Sequence, residues 1–107
     1  MKPLFQGGDV ATLKELIDWE DAIVANRKIL SNDDMKLILM AFDGGEKLSP
    51  HRAPASAVLV VLEGKARVDD EGEEQALKPG DIIYFEEGGC HSAETAGRMK
   101  MVLMFVA

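Results

Sequence analysis

The chain has 107 residues, room for one domain and none for a second catalytic one. With 47% hydrophobic and 29% charged residues it can bury about two-thirds of its unfolded surface, which excludes a disordered tail or a disulfide-dependent miniprotein. Nineteen acidic against twelve basic residues leave a formal charge of −7, a balance that repels phosphate backbones and argues against nucleic-acid binding.

The first element in chain order is a short helix from Val10 to about Trp19, where Leu13, Leu16 and Ile17 recur at three- and four-residue spacing and Asp9 stands ready as N-cap. Trp19 at its end anchors the N-terminal arm on the barrel or on a partner chain. From Ile23 the period changes. Short apolar segments separated by Gly, Pro, Asn or Asp predict strands over Ile23 to Leu30, Met35 to Phe42, Ala57 to Leu62, Lys65 to Val68, Gln75 to Leu77, Asp81 to Phe85, His91 to Thr95 and Met99 to Val106. The turns between them follow from residue chemistry: Gly supplies positive φ, Pro79 presets φ, and Asn and Asp satisfy the turning backbone locally. Eight short strands at roughly ten-residue spacing predict an all-β sandwich or barrel. Residues 1–34 are read as the arm, holding the helix and first strand, and residues 35–107 as the barrel.

Two segments, Leu37 to Phe42 and Met101 to Val106, are apolar on nearly every residue. An antiparallel sheet wet on one face would alternate, so both faces are expected to be covered, most simply in a homodimer. The run Asp69 to Glu74 carries five acids around Gly72 and reads as a solvated hairpin tip. Cys90 has no internal partner for a bridge, and no secretory pattern lies between Met1 and Val10. No apolar run approaches the roughly 18 residues of a membrane helix. These features lead to the expectation of a cytoplasmic protein.

Imidazole chemistry has two candidates, His51 and His91, 40 residues apart. Each follows a Gly-containing turn beside an apolar strand, the placement from which antiparallel strands aim side chains into one barrel mouth. Of Tyr84 and Phe85, one should point inward by alternation; Tyr84 and Met40 are assigned to the lining beside the histidines. Neighbours on a strand face opposite ways, so Cys90 should not share the face of His91 and is read as an inert thiol. Methionines on the apolar strands serve as filler or line a pocket for an apolar or planar molecule.

Gly45-Glu46-Lys47-Leu48-Ser49-Pro50-His51, closed by Gly64, resembles the first motif of the cupins, G(X)5HXH(X)3–4E(X)6G. Gly80, Gly88 and His91 fall in register with the second, G(X)5PXG(X)2H(X)3N, and Lys65 to Pro79 resembles the short inter-motif hairpin of small cupins. The resemblance covers roughly Met35 to Val106 and implies a double-stranded β-helix, the cupin jelly-roll barrel. In metal-bearing cupins two His and a Glu of the first motif and one His of the second hold the ion. Here Ala53 and Ala57 stand at the second His and Glu positions, Glu86 replaces the Pro and Thr95 the Asn. The resemblance therefore implies a reduced ligand set, His51 and His91, for a divalent ion (Zn, Fe, Mn or Ni), with a metal-free small-molecule pocket as the alternative. Glu87 and Glu94 are the carboxylates near enough in sequence to complete the set. Functionally the chain is expected to hold a small molecule. The competing readings are a metal-dependent enzyme, isomerase or dioxygenase-like, on a small polar organic substrate, and a barrel that only dimerises. No residue is assigned a catalytic role.

Overall fold

The computed structural model describes residues 6–106, so the first five residues of the arm and the final residue lie outside the account that follows. Nine strands are present among these residues: β1 (Val24–Ser31), β2 (Met35–Phe42), β3 (Lys47–Arg52), β4 (Ser56–Glu63), β5 (Ala66–Asp70), β6 (Glu73–Leu77), β7 (Ile82–Phe85), β8 (Cys90–Glu94) and β9 (Met99–Val106). They form a five-stranded sheet in the order β1-β2-β9-β4-β7 and a four-stranded sheet in the order β3-β8-β5-β6, every pairing antiparallel. The architecture is the expected jelly-roll. Between the sheets lies a core of Met40, Phe42, Leu59, Val61, Val68, Phe85, Met99 and Met101.

Turn chemistry fixes the register. At the β1–β2 hairpin the Asn32 side-chain oxygen accepts the backbone N–H groups of Asp34 (2.8 Å) and Met35 (3.0 Å), replacing ladder partners that the turn removes. The β5–β6 hairpin closes through Glu71 and Gly72, with φ of 53° and 87°, the left-handed pair that a two-residue hairpin loop requires. The acidic run therefore sits at a hairpin tip.

Two expectations need correction. The first concerns β3, which reads as a loop in the sequence because Pro50 interrupts it and its side chains do not alternate. Pro50 is tolerated because β3 is the edge of its sheet and a bulge interrupts its pairing with β8 between Leu48 and His51. The second concerns the helix: only a single 3-10 turn, Leu13–Glu15, forms. Asp9 does not cap it, since its carboxylate accepts the Gln6 backbone N–H at 2.9 Å and closes an upstream turn. An isolated ten-residue helix is also marginal in water, and here a sheet face is available instead. Leu13, Leu16, Ile17 and Trp19 pack against Leu37, Leu39, Ala41, Val60, Leu62 and Val102 on the outside of the five-stranded sheet.

The arm is fastened there by Trp19. Its Nε1–H donates to the Met99 carbonyl at 3.3 Å, while Lys100 Nζ and the Arg98 guanidinium lie 4.4 and 5.0 Å from its ring. Lys100 is buried, and its ammonium donates to the Lys14 carbonyl at 2.6 Å. The arm thus covers the outer face of β2 and β9 at Leu39, Ala41 and Val102, while Leu37 and Met104 stay half-buried. Ile82 and Tyr84, on the outer face of the edge strand β7, remain 62% and 55% exposed. Among the described residues no helix is long and apolar enough to cross a membrane.

Candidate functional site

His51 on β3 and His91 on β8 are direct partners in the ladder between the two strands, so both side chains leave the same face of the small sheet. Their ring centroids are 4.4 Å apart at an interplanar angle of 66°. The second motif explains the third member of the group. From β7 the chain crosses to the other sheet through Glu86 to Gly89 and enters β8, which lays Phe85 face to face with His91 at 3.9 Å and 11°.

Backbone hydrogen bonds hold that crossing rigid. The Ala53 N–H donates to the Gly89 carbonyl and the Gly88 N–H returns to the Ala53 carbonyl, each at 2.9 Å. Arg52 Nη1 adds a bond to the Gly88 carbonyl at 2.8 Å. Gly88 adopts φ of 83°, which accounts for the motif glycine at that point. Glu71 at the hairpin tip accepts the Cys90 N–H at 2.8 Å, tying the acidic turn to the strand that carries His91. Thr95, at the motif's Asn position, is buried and donates its hydroxyl to the Gly97 carbonyl at 2.8 Å, closing the turn after β8.

The two imidazoles border a cavity of about 230 Å³ between the sheets. Its remaining walls are mostly apolar: Ile38, Met40, Leu48, Ala57, Leu59, Met101, Leu103 and Phe105, with Phe85 behind His91 and Asn26 of β1 at one side. Wider depressions, up to about 420 Å³, lie on the protein, but that one is framed by Lys65, Arg67 and Glu94 and contains neither histidine.

The assigned lining residues thus divide. His51, His91 and Met40 border one cavity, and Tyr84 does not. Pairing of Phe85 with Ala57 and of Tyr84 with Val58 places Phe85 inward, where it is 1% exposed, and Tyr84 outward, where its hydroxyl donates to Ser56 Oγ at 3.2 Å. Asn26 escaped the sequence reading because β1 was counted with the arm. Phe85 was the other half of an alternation whose parity only the β4 pairing decides.

Protonation follows from the surroundings. His51 Nδ1 lies 2.9 Å from the Ser49 carbonyl oxygen, which only accepts, so the proton of a neutral His51 sits on Nδ1 and Nε2 keeps its lone pair. Burial first, and the neighbouring His51 second, hold the His91 pKa below its ordinary 6.5, with Asp70 across the β5–β8 pair pulling the other way. His91 is accordingly neutral at neutral pH. Its Nδ1 is buried without a hydrogen-bond partner among the described residues, a deficit that typically costs about 1–3 kcal/mol.

The donor set does not fit a divalent ion held by this chain alone. Ala53 and Ala57, at the motif positions that would carry His and Glu, are buried and bear no donor. Neither carboxylate considered from the sequence fills the gap. Glu94 faces away with Ser92, at 3.7 Å from both Lys47 and Arg67, and Glu87 borders a separate hollow with Asp70, Glu71 and Glu86. Among the described residues no group of three or more His, Cys, Asp and Glu side chains could hold a metal. Divalent sites normally take three or more protein ligands, and two imidazoles fall short.

The sequence model of the Cupin domain family matches residues 38–107. No curated protein matches the chain. Among solved structures it is similar to a cupin superfamily protein from Desulfitobacterium hafniense, at 23% identity over 98% of this chain and 95% of that one, with a TM-score of 0.87. It is also similar to TT1209 from Thermus thermophilus, at 24% identity over 91% of this chain and 96% of that one, with a TM-score of 0.80. A third similarity is to KdgF from Halomonas sp., at 22% identity over 87% of this chain and 89% of that one, with a TM-score of 0.74. Identities this low carry the fold and nothing further.

Proposed function

The chain belongs to the cupin-domain family, and from that premise we propose that it binds a small molecule in the cavity between its sheets, without a tightly held metal ion of its own. One observation carries this reading: imidazoles from β3 and β8 converge at one wall of a largely apolar hollow. Binding sites for small molecules have this composition, apolar walls that supply desolvation and a few polar groups that set orientation. At about 230 Å³ the hollow is below the ~300–1,000 Å³ of drug-sized sites, which suits a single ring with a few substituents. The metalloenzyme reading needs ligands at positions 53 and 57, where alanines stand.

The test is a titration of protein carrying ¹³C-labelled methionine methyl groups with 4-methylanisole, a one-ring apolar probe. Met40 and Met101 border the cavity, whereas Met104 points to the other side of β9. Saturable shifts of Met40 and Met101 with Met104 unmoved are the expected outcome. Shifts that never saturate, or that are as large at Met104, would contradict the proposal.

A further inference from the structure

The polarity of the cavity is set by a backbone carbonyl outside it. Because the Ser49 oxygen lies 2.9 Å from His51 Nδ1 and only accepts, the neutral ring carries its proton there and presents Nε2 as an acceptor. Among the described residues no lysine or arginine side chain borders the cavity. Arg52, next to His51 on the strand, is engaged by the Gly88 carbonyl. The Asn26 amide gives one of its two N–H groups to the Val24 carbonyl at 3.2 Å, and the other is a neutral donor without charge. A neutral His91 has a single N–H, which offers an anion one hydrogen bond and no charge.

The surroundings add to the bias. Asp70 stands opposite His91 in the ladder, and it borders, with Glu71, Glu86 and Glu87, an acidic hollow beside the β7–β8 crossing. The whole chain carries −7. A carboxylate or phosphate entering the cavity would lose its water for apolar walls, meet no cation and approach a negative field, a combination that penalises buried charge heavily.

Resting on the reading of this cavity as a binding site, we infer that its ligand is an uncharged ring compound bearing a hydrogen-bond donor, a hydroxyl or N–H group directed at His51 Nε2, and that anionic compounds are rejected. His51 stands on the exposed edge strand at the rim of the cavity, so a ligand with the donor gains a hydrogen bond that an analogue without it cannot make. Phenols and ring alcohols or lactams have the required chemistry; carboxylic acids and sugar phosphates do not.

Three probes of matched shape separate the possibilities: p-cresol, which has the donor, 4-methylanisole, which has its hydroxyl methylated, and 4-methylbenzoate, which has the charge. Titrations at pH 7.5 followed by methionine-methyl shifts are expected to give p-cresol about two- to tenfold tighter binding than either other probe. In His51→Phe, a change on an exposed edge strand, that advantage over 4-methylanisole should disappear while 4-methylanisole still binds. Long-range ¹H–¹⁵N spectra of histidine-labelled protein should place the His51 proton on Nδ1. Equal binding of p-cresol and 4-methylanisole, tighter binding of 4-methylbenzoate, or a His51 proton on Nε2 would overturn the ligand class and leave the cavity reading standing. Failure of all three probes to bind would remove both.

Discussion

Replacing Gly64 with alanine is expected to destabilise the fold by about 2–5 kcal/mol, combining a strained backbone position with a steric collision. Gly64 joins β4 to β5 at φ of 78°, a conformation that L side chains rarely adopt. A Cβ there would run into the Arg98 carbonyl oxygen and crowd Met99 at the start of β9. Neither obstacle is the flexible end of a side chain, so relief requires β4 and β9 to separate where they are paired. Domains of this size have about 5–15 kcal/mol of stability in total, so the loss should be visible as a large drop in the urea midpoint. Gly80→Ala is the control. Its φ is 92° but nothing lies within 4 Å of the added Cβ, and it should cost only the conformational part, about 1–2 kcal/mol. Equal losses in the two variants would show that close packing against β9 is not what excludes a side chain at Gly64.

Phe85→Ala is expected to cost about 3–5 kcal/mol, the range for emptying a large buried aromatic position. Phe85 is 1% exposed, belongs to the core between the sheets and forms the stacking surface of His91. Its neighbour Tyr84 is half exposed, and Tyr84→Ala should remain within about 1 kcal/mol of the parent, since surface substitutions away from packed sites seldom exceed 0.5. The pair is therefore a direct test of strand parity. Urea unfolding gives the stabilities, and the His91 ring resonances, shielded by the Phe85 face, should move downfield in Phe85→Ala alone. A larger loss in Tyr84→Ala would mean that β7 is turned the other way.

The strands and turns were legible because their signals are local. Asn32 at the β1–β2 hairpin and Gly72 at the acidic tip do what those residue types do in any antiparallel protein, and the barrel follows from the spacing between them. The motif glycines Gly64 and Gly88 came from the resemblance to the cupin motifs: both take positive φ, and at Gly64 the backbone of Arg98 and Met99 also leaves no room for a side chain. What failed locally was decided by distant partners. Leu13, Leu16 and Ile17 have a spacing that a helix satisfies, yet the sheet face formed by Leu39, Ala41 and Val102 accepts the same side chains from a looser segment pinned by Trp19. β3 was invisible because an edge strand with a proline and a bulge has neither alternation nor β-propensity to announce it.

The candidate site divides in the same way. His51 and His91 were identifiable as the only two imidazoles, and of the two only His91 fell in a predicted strand. Their direct pairing, by contrast, depends on the bulge that shifts β3 by one extra residue between Leu48 and His51. Without it the His51 side chain would fall on the other face. Tyr84 was misassigned for want of one bit of information, the register of β7 against β4. The Ser49 carbonyl that fixes the His51 tautomer is a backbone group, and composition carries no trace of it.

The two imidazoles are neighbours facing a common hollow, with Phe85 beneath one of them. The most direct measurement is a nuclear Overhauser spectrum of uniformly labelled protein, read at the histidine ring protons. Adjacent rings with centroids 4.4 Å apart, and His91 stacked 3.9 Å from Phe85, predict cross-peaks between the His51 and His91 rings and from His91 to the Phe85 ring. Assigned rings that give neither set of cross-peaks, with His51 showing contacts only to Ser49 and solvent, would contradict the account.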